Sequence, residues 1–233
     1  MQLQNAVAFV TGANRGLGLA IVRELQARGV RKIYAAARDP DSITLPGVIP
    51  VRLDVTRPDQ VAAAAAACAD TTLLINNAGI APLVQPLDPA AIATGRSLFD
   101  TNFFGLVSVS QAFAPLLAAN GGGAIANILS IASWIAAPHF SMYAASKSAA
   151  WAYTNALRHA VAAQGIQVLG LHVGYIDTDL TRGFDVPKLD PAQVATKLLD
   201  GLEAGQSEVL VDERTRAVKH GLSAEPGIYL SPL

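Results

Sequence analysis

The sequence predicts an α/β protein: a doubly wound, mostly seven-stranded parallel sheet with helices on both faces. Three observations predict it. Short apolar runs alternate with helical segments along the whole chain, a glycine-rich turn follows the first run at once, and the residues suited to chemistry recur where runs end. Alternation of strand and helix implies parallel strands covered on both faces, and ligands in such folds sit at the carboxyl ends of the strands.

Strands are expected at residues 6–11, 32–37, 48–53, 72–76, 124–129, 166–172 and 208–211, with helices between them. Ala6-Val7-Ala8-Phe9-Val10 is the apolar run a buried strand requires. Thr11-Gly12-Ala13-Asn14-Arg15-Gly16-Leu17-Gly18 follows, and Leu19 to Leu25 then carries apolar residues at helical period. Strand, glycine turn and helix in that order present backbone N–H groups and a positive helix end to a diphosphate. The spacing is Gly-x-x-x-Gly-x-Gly, not the Gly-x-Gly-x-x-Gly of the standard dinucleotide turn. Ala62 to Ala67 reads as a helix. Two long helices, near 89–119 and 142–164, carry apolar and aromatic residues on more than one face. Trp151 and Tyr153 stand two positions apart and so cannot share one narrow stripe.

No Pro/Gly/Ser-rich linker or charge block divides the 233 residues, so one dinucleotide-binding and catalytic domain, 1–233, is expected. A formal net charge of −1 gives no sign of a nucleic-acid or membrane-surface partner. Hydrophobic residues make up 52%, much of it alanine, yet no stretch is expected to approach the roughly 20 apolar residues of a membrane span. Met1 to Asn5 lead straight into the first strand, so no cleavable leader is expected, and the single Cys68 cannot form an internal disulfide. A reduced, cytoplasmic setting is the corresponding expectation. His139, His159, His172 and His220 lack ligand spacing, so no catalytic metal is expected.

The residues richest in chemistry are Ser130, Tyr143 and Lys147. Four positions in a helix return to nearly the same face, so Tyr143 and Lys147 point together. A free tyrosine has a pKa of about 10, and a neighbouring ammonium lowers it. Ser130, at the end of an apolar run, can supply a hydroxyl to a substrate oxygen. That is equipment for moving a proton on and off an alcohol or carbonyl oxygen. His139, between Ser130 and Tyr143, reads either as a substrate neighbour or as a solvated loop histidine. Asp177 and Asp179, beside Thr178, read as caps of a turn or of the next helix.

Over nearly its whole length the chain resembles the short-chain dehydrogenases/reductases. Thr11 to Gly18, with Gly12, Asn14, Arg15, Gly16, Leu17 and Gly18, matches that family's cofactor turn. Asp54 and Val55 match its adenine contact, and Asn76-Asn77-Ala78-Gly79 matches the motif after its fourth strand. Asn102, Ser130, Tyr143 and Lys147 match its catalytic tetrad. Gly174-Tyr175-Ile176-Asp177-Thr178 looks like the loop around the nicotinamide. The resemblance implies a small-molecule carbonyl or alcohol substrate, with Ser130 holding the oxygen and Tyr143 donating the proton. It implies that Lys147 lowers the Tyr143 pKa and holds a ribose, that Asn102 positions a water, and that Thr178 meets the carboxamide. It also implies a homo-tetramer or homo-dimer built on the two long helices. The chain departs from the family at Val173, where proline is usual, and in its short stretch from Asp179 to Asp190, where relatives carry two lid helices.

At the ribose end, Ile33-Tyr34-Ala35-Ala36-Ala37 closes on alanine, where an acidic residue would select a free 2′-hydroxyl, and Arg38 follows. With Arg15 in the glycine turn, two guanidinium groups suit a 2′-phosphate, so NADPH/NADP+ is expected and NADH is the alternative. Arg38 could instead pair with Asp39. The substrate is expected near Ile131, Ala132, Trp134, His139, Phe140, Tyr175 and Phe184. Their apolar and aromatic character suits a ketone or aldehyde with a hydrophobic body. The other functional readings are an NAD-linked alcohol dehydrogenase and a non-catalytic dinucleotide sensor or scaffold of the same fold.

Overall fold

A computed structural model describes residues 1–230 of the chain. Seven strands form one sheet: β1 Val7–Thr11, β2 Lys32–Ala37, β3 Ile49–Arg52, β4 Leu73–Asn76, β5 Gly123–Ile128, β6 Ile166–His172 and β7 Glu208–Leu210. Their order is β3-β2-β1-β4-β5-β6-β7, and every neighbouring pair is parallel. The chain reverses its winding between β1 and β4, and a crevice opens there beyond the strand ends. β1 and β4 are buried along their whole length, as strands covered on both faces must be.

One face is covered by α1 (Gly16–Ala27) and α6 (Pro191–Glu203), whose Ile21, Leu25, Val194 and Leu198 pack with Val10, Ile75 and Leu171 from the sheet. The other is covered by α2 (Pro58–Ala67), α4 (Gly105–Ala119) and α5 (Ser141–Val161), whose Val61, Phe113 and Leu157 pack with Phe9, Leu74 and Val168. α7 (Glu213–Gly221) follows β7. Val173 is buried in the first of these cores, so the valine in place of proline serves packing.

A chain of buried side-chain hydrogen bonds links the second face to the sheet. Asn76 Nδ2 donates to Ser110 Oγ at 3.0 Å and to Asn127 Oδ1 at 2.9 Å, and Asn127 Nδ2 donates to Thr154 Oγ1 at 2.9 Å. Polar groups this deep stay favourable when so paired, although Asn76 Oδ1 itself has no hydrogen-bond partner among the described residues.

The first long helix is in fact continuous. α3 (Ala91–Phe99) runs through one π-helical turn, Asp100–Phe104, into α4. The expectation that nothing approaches a membrane span is therefore corrected. Ala91–Ala119 is 29 residues with mean hydropathy 1.4 in its most apolar stretch, enough by length and composition, and 44% of that stretch is buried within the protein. It reads apolar because α4 packs on the sheet and α3 packs on α5.

Candidate active site

The carboxyl ends of the strands open on a cleft of about 1060 Å³. Its floor is the turn between β1 and α1. Gly12 and Gly16 have φ of 65° and 52°, the left-handed region that glycine enters freely. A Cβ on Gly18 would stand 2.1 Å from the Gly12 carbonyl oxygen, so the helix start and the turn touch backbone to backbone. Asn77, one residue beyond β4, pins this turn: its Nδ2 donates to the carbonyls of Thr11 at 2.9 Å and Gly12 at 3.1 Å. Thr11 answers by accepting the N–H groups of Asn77 and Ala78 at 2.9 and 3.0 Å. With the first turn of α1 aimed into the cleft, this is a cradle for an anionic group.

At one end of the cleft stand Arg38, Asp39, Ser42, Asp54 and Val55. Asp39 is committed to its own turn, where its Oδ1 accepts from Asp41 N at 3.2 Å. Arg38, by contrast, has no ion-pair partner among the described residues. Burial pushes the Asp54 carboxyl up, but the Thr56 N–H and hydroxyl, helped by Arg38 and Arg57, hold it below the usual range.

At the other end, Ser130 lies just past β5 and faces Tyr143 and Lys147 on α5. Lys147 is buried; its Nζ donates to the Ile128 carbonyl at 2.9 Å and lies 5.9 Å from the centre of the Tyr143 ring. Asn102 sits behind, in the π-helical turn, a local irregularity that often accompanies function. Its Nδ2 donates to Ile80 O and Ser146 Oγ at 2.9 and 3.1 Å, and its Oδ1 accepts from Ile80 N at 2.9 Å. The loop after β6 crosses the glycine turn, since a Cβ on Gly16 would lie 3.3 Å from the Thr178 methyl.

Beyond Tyr143 four rings form a wall. Phe140 lies 5.8 Å from Tyr143, 6.3 Å from Tyr175 and 5.4 Å from Phe184, and His139 stacks near Phe184 at 6.5 Å. Phe184 comes from the short excursion after Thr178, which is pinched shut where Asp177 N donates to Leu189 O at 2.9 Å and Leu189 N to Tyr175 O at 2.9 Å.

A family model for short chain dehydrogenases matches residues 6–187, most of the chain. This chain belongs to that family. It is 39% identical over 191 residues to a galactitol 2-dehydrogenase (L-tagatose-forming) of Cereibacter sphaeroides, covering 77% of this chain and 75% of the other. A crystal structure of a short chain dehydrogenase from Burkholderia cenocepacia in complex with NADP covers all of both chains at 37% identity and a TM-score of 0.93. Another family member, from Burkholderia phymatum in complex with NAD, shares the fold at 24% identity and a TM-score of 0.87, covering 100% and 99% of the two chains.

In this short chain dehydrogenase the glycine turn, Arg38, Asp54, Val55, Asn77, Ala78, Gly79, Ser130, Tyr143, Lys147, Gly174, Ile176 and Thr178 all line one cleft. Several expectations need correction. Trp134 turns away from the cleft: its ring stacks on His172 at 4.0 Å and meets Trp151 edge-on at 6.0 Å. The short 3₁₀ turn Ile131–Ser133 rotates it there. Ala132 contributes to that turn through its N–H, which donates to Ser130 Oγ at 3.1 Å. Among the described residues Asp179 caps no helix, since Thr178 holds that place, and pairs instead with Arg182 and, at 3.4 Å, with Arg15. Sequence reasoning missed one wall of the cleft. Ala93, Arg96, Ser97, Asp100 and Thr101 line it from α3 and the π-helical turn, and their helical spacing was the available signal.

The electrostatics also differ from the expectation. Burial pushes the Tyr143 phenol above its usual pKa, with the Ser130 hydroxyl pulling the other way. Lys147 does not produce the lowering expected of it; burial lowers its own pKa from 10.5 to about 8. Spacing brings the two side chains together, but the desolvation of both outweighs their mutual effect.

With the folded pKa of Lys147 below its unfolded value, the unfolded chain binds more protons between about pH 8 and 10.5, so stability from this group rises with pH across that window. Below pH 8 the buried ammonium opposes folding, by an amount on the order of 3 kcal/mol at 1.36 kcal/mol per unit. Lys147→Met should therefore raise the thermal midpoint of the cofactor-free protein by several degrees at pH 7, at about 2–4 °C per kcal/mol, and the gain should shrink toward pH 10. Thermal melts at both pH values decide it; a variant less stable than wild type at pH 7 would refute the burial argument.

Proposed function

We propose that the protein, as one domain over 1–233, is an NADP(H)-dependent oxidoreductase that interconverts a ketone or aldehyde and its alcohol. Ser130, Tyr143, Lys147 and Asn102 form its catalytic set. The observation that carries the reading is the pairing of the buried Lys147 with Tyr143 and Ser130 in the same cleft as the pinned glycine turn. The turn fits a dinucleotide, because at Gly12 and Gly18 a Cβ would fill space that backbone and phosphate need. When bound, the nicotinamide supplies or accepts the hydride; orientation and the proton come from the protein.

Ser130 Oγ holds the substrate oxygen and Tyr143 gives it the proton. Lys147, charged below about pH 8, donates to a ribose hydroxyl. Asn102 holds the Ile80 backbone beside the reacting groups, with one lone pair of Oδ1 left to accept from a water. Thr178 places the loop over the ring face. The aromatic wall of Phe140, Tyr175 and Phe184 receives the hydrophobic body of the substrate, as a short lid with few discriminating contacts would allow. Arg38 takes a 2′-phosphate, since it forms no ion pair among the described residues and feels the Asp54 carboxylate only at longer range, while Arg15 must leave Asp179 to assist.

Consumption of NADPH across a carbonyl panel tests the reaction. Tyr143→Phe should lower kcat by roughly a hundredfold or more, the usual scale for a lost acid-base group, with NADPH affinity nearly unchanged. Substantial residual turnover would move the proton donor elsewhere. Arg38→Ala should raise the KM for NADPH by about tenfold and leave that for NADH almost unaltered, as loss of one charge-assisted bond implies. Equal losses with both cofactors would reject the phosphate assignment and favour the NAD-linked reading.

Self-association belongs to the same proposal. The outer surfaces of α4 and α5 leave a groove lined by Ala114, Pro115, Ala118, Tyr153 and Ala160. Small residues there admit a second copy's helices, and closed symmetry is the common outcome. Light scattering should return a dimer or tetramer mass; a monomer mass would reject it.

A further inference from the structure

His172, at the end of β6, is fully buried and belongs to none of the groups assigned above. Its Nδ1 lies 3.1 Å from the carbonyl oxygen of Ser130. A carbonyl only accepts, so Nδ1 carries the proton and donates. The ring is neutral: burial, reinforced by Lys219, Lys147 and Arg158 and opposed by the Ser130 carbonyl, pushes its pKa down to about 3. Nε2 therefore holds a lone pair, 3.5 Å from Glu208 Oε1, whose charge is taken by Lys219 at 3.0 Å.

The Ser130 carbonyl takes this donor beside one from the backbone. On either side of it the β5–β6 ladder continues, with Leu129 N bonded to Leu171 O at 2.8 Å and Ile131 N to Val173 O at 2.9 Å. At Ser130 the chain turns into the 3₁₀ turn, and its carbonyl receives Ser133 N at 3.0 Å and His172 Nδ1. The same turn supplies the Ala132 N–H that holds Ser130 Oγ. The imidazole is also a platform, because Trp134, the residue that ends the turn, lies flat on it with planes 18° apart. Lys219 of α7 completes the stack, 4.7 Å from the Trp134 ring centre and 5.3 Å from that of Trp151.

We propose that His172 is a positioning residue for the reaction: its Nδ1–H bond and its stacked ring fix the turn that aims the Ser130 hydroxyl at the substrate oxygen. The proposal rests on Ser130 holding that oxygen. Two substitutions separate the bond from the bulk. His172→Phe keeps a stacking ring and loses the donor; His172→Asn loses the ring and keeps an N–H near the Nδ1 position. The phenylalanine variant should lose about tenfold in kcat, the scale of one hydrogen bond, with NADPH affinity and KM within about twofold of wild type. The asparagine variant should recover much of that kcat although it melts at a lower temperature, since it leaves a cavity. A residue needed only for packing would give the reverse order, with activity following thermal stability.

Nitrogen-15 NMR of the imidazole provides a readout independent of turnover, and should show the Nδ1–H tautomer at neutral pH. Wild-type kcat in His172→Phe, or an Nε2–H tautomer, would overturn the inference while leaving the proposed function standing. Absence of turnover in the wild type across carbonyls and alcohols would overturn the functional reading and this inference with it.

Discussion

The hydrogen bond from the buried Lys147 ammonium to the Ile128 carbonyl is the constraint around which the site is built. No carboxylate pairs with this charge among the described residues, so its burial costs free energy that the surrounding fold must offset. Holding it in place requires β5 to end at Ile128 with its carbonyl exposed to α5. It also requires α5 to present positions 143, 146 and 147 together, and they serve three partners. Tyr143 faces the cleft, Ser146 meets Asn102, and Lys147 reaches the strand end. The π-helical turn at Asp100–Phe104 is the matching adjustment on the neighbouring helix, since it carries Asn102 to both Ile80 and Ser146.

The opposite end of the cleft depends on backbone contact instead of charge. Asn77 and Thr11 exchange hydrogen bonds across β1 and β4, which locks the glycine turn to the point where the sheet reverses its winding. The two ends are joined by the loop after β6. Its Gly174 N–H is held by Asp212 at 3.0 Å, and its Thr178 methyl lies 3.3 Å from where a Cβ on Gly16 would stand. One loop thus spaces Ser130 and Tyr143 from the glycine turn, so a ligand long enough to touch both would be held at fixed separation.

Features carried by local pattern were legible in the sequence. The apolar runs marked all seven strands, the glycine spacing marked the turn, and the four-residue step brought Tyr143 and Lys147 into one cleft. Features set by distant contacts were not. Trp134 lies between Ser130 and Tyr143 in the chain, which argued for a place beside the substrate, yet a single 3₁₀ turn sends its ring toward β6. The partners of His172 come from Ser130 and from α7, and no spacing in the sequence connects them. Burial is the other hidden quantity. A helical step shows that two groups are near one another, whereas the direction of the Tyr143 and Lys147 pKa values depends on how much water the folded chain removes from each.

Arg96 and Asp100 show the same limit from the other side: both are polar residues on a helix that reads as apolar, and they line the cleft. The central claim is that this cleft joins a dinucleotide to a carbonyl carbon, with Tyr143 supplying the proton. The most direct measurement is turnover with NADPH carrying deuterium on one face of nicotinamide C4, followed by mass spectrometry of the alcohol formed. Deuterium from one face alone should appear on the carbinol carbon. Deuterium absent from that carbon whichever face is labelled, or delivered equally from both faces, would contradict a fixed hydride geometry at this site.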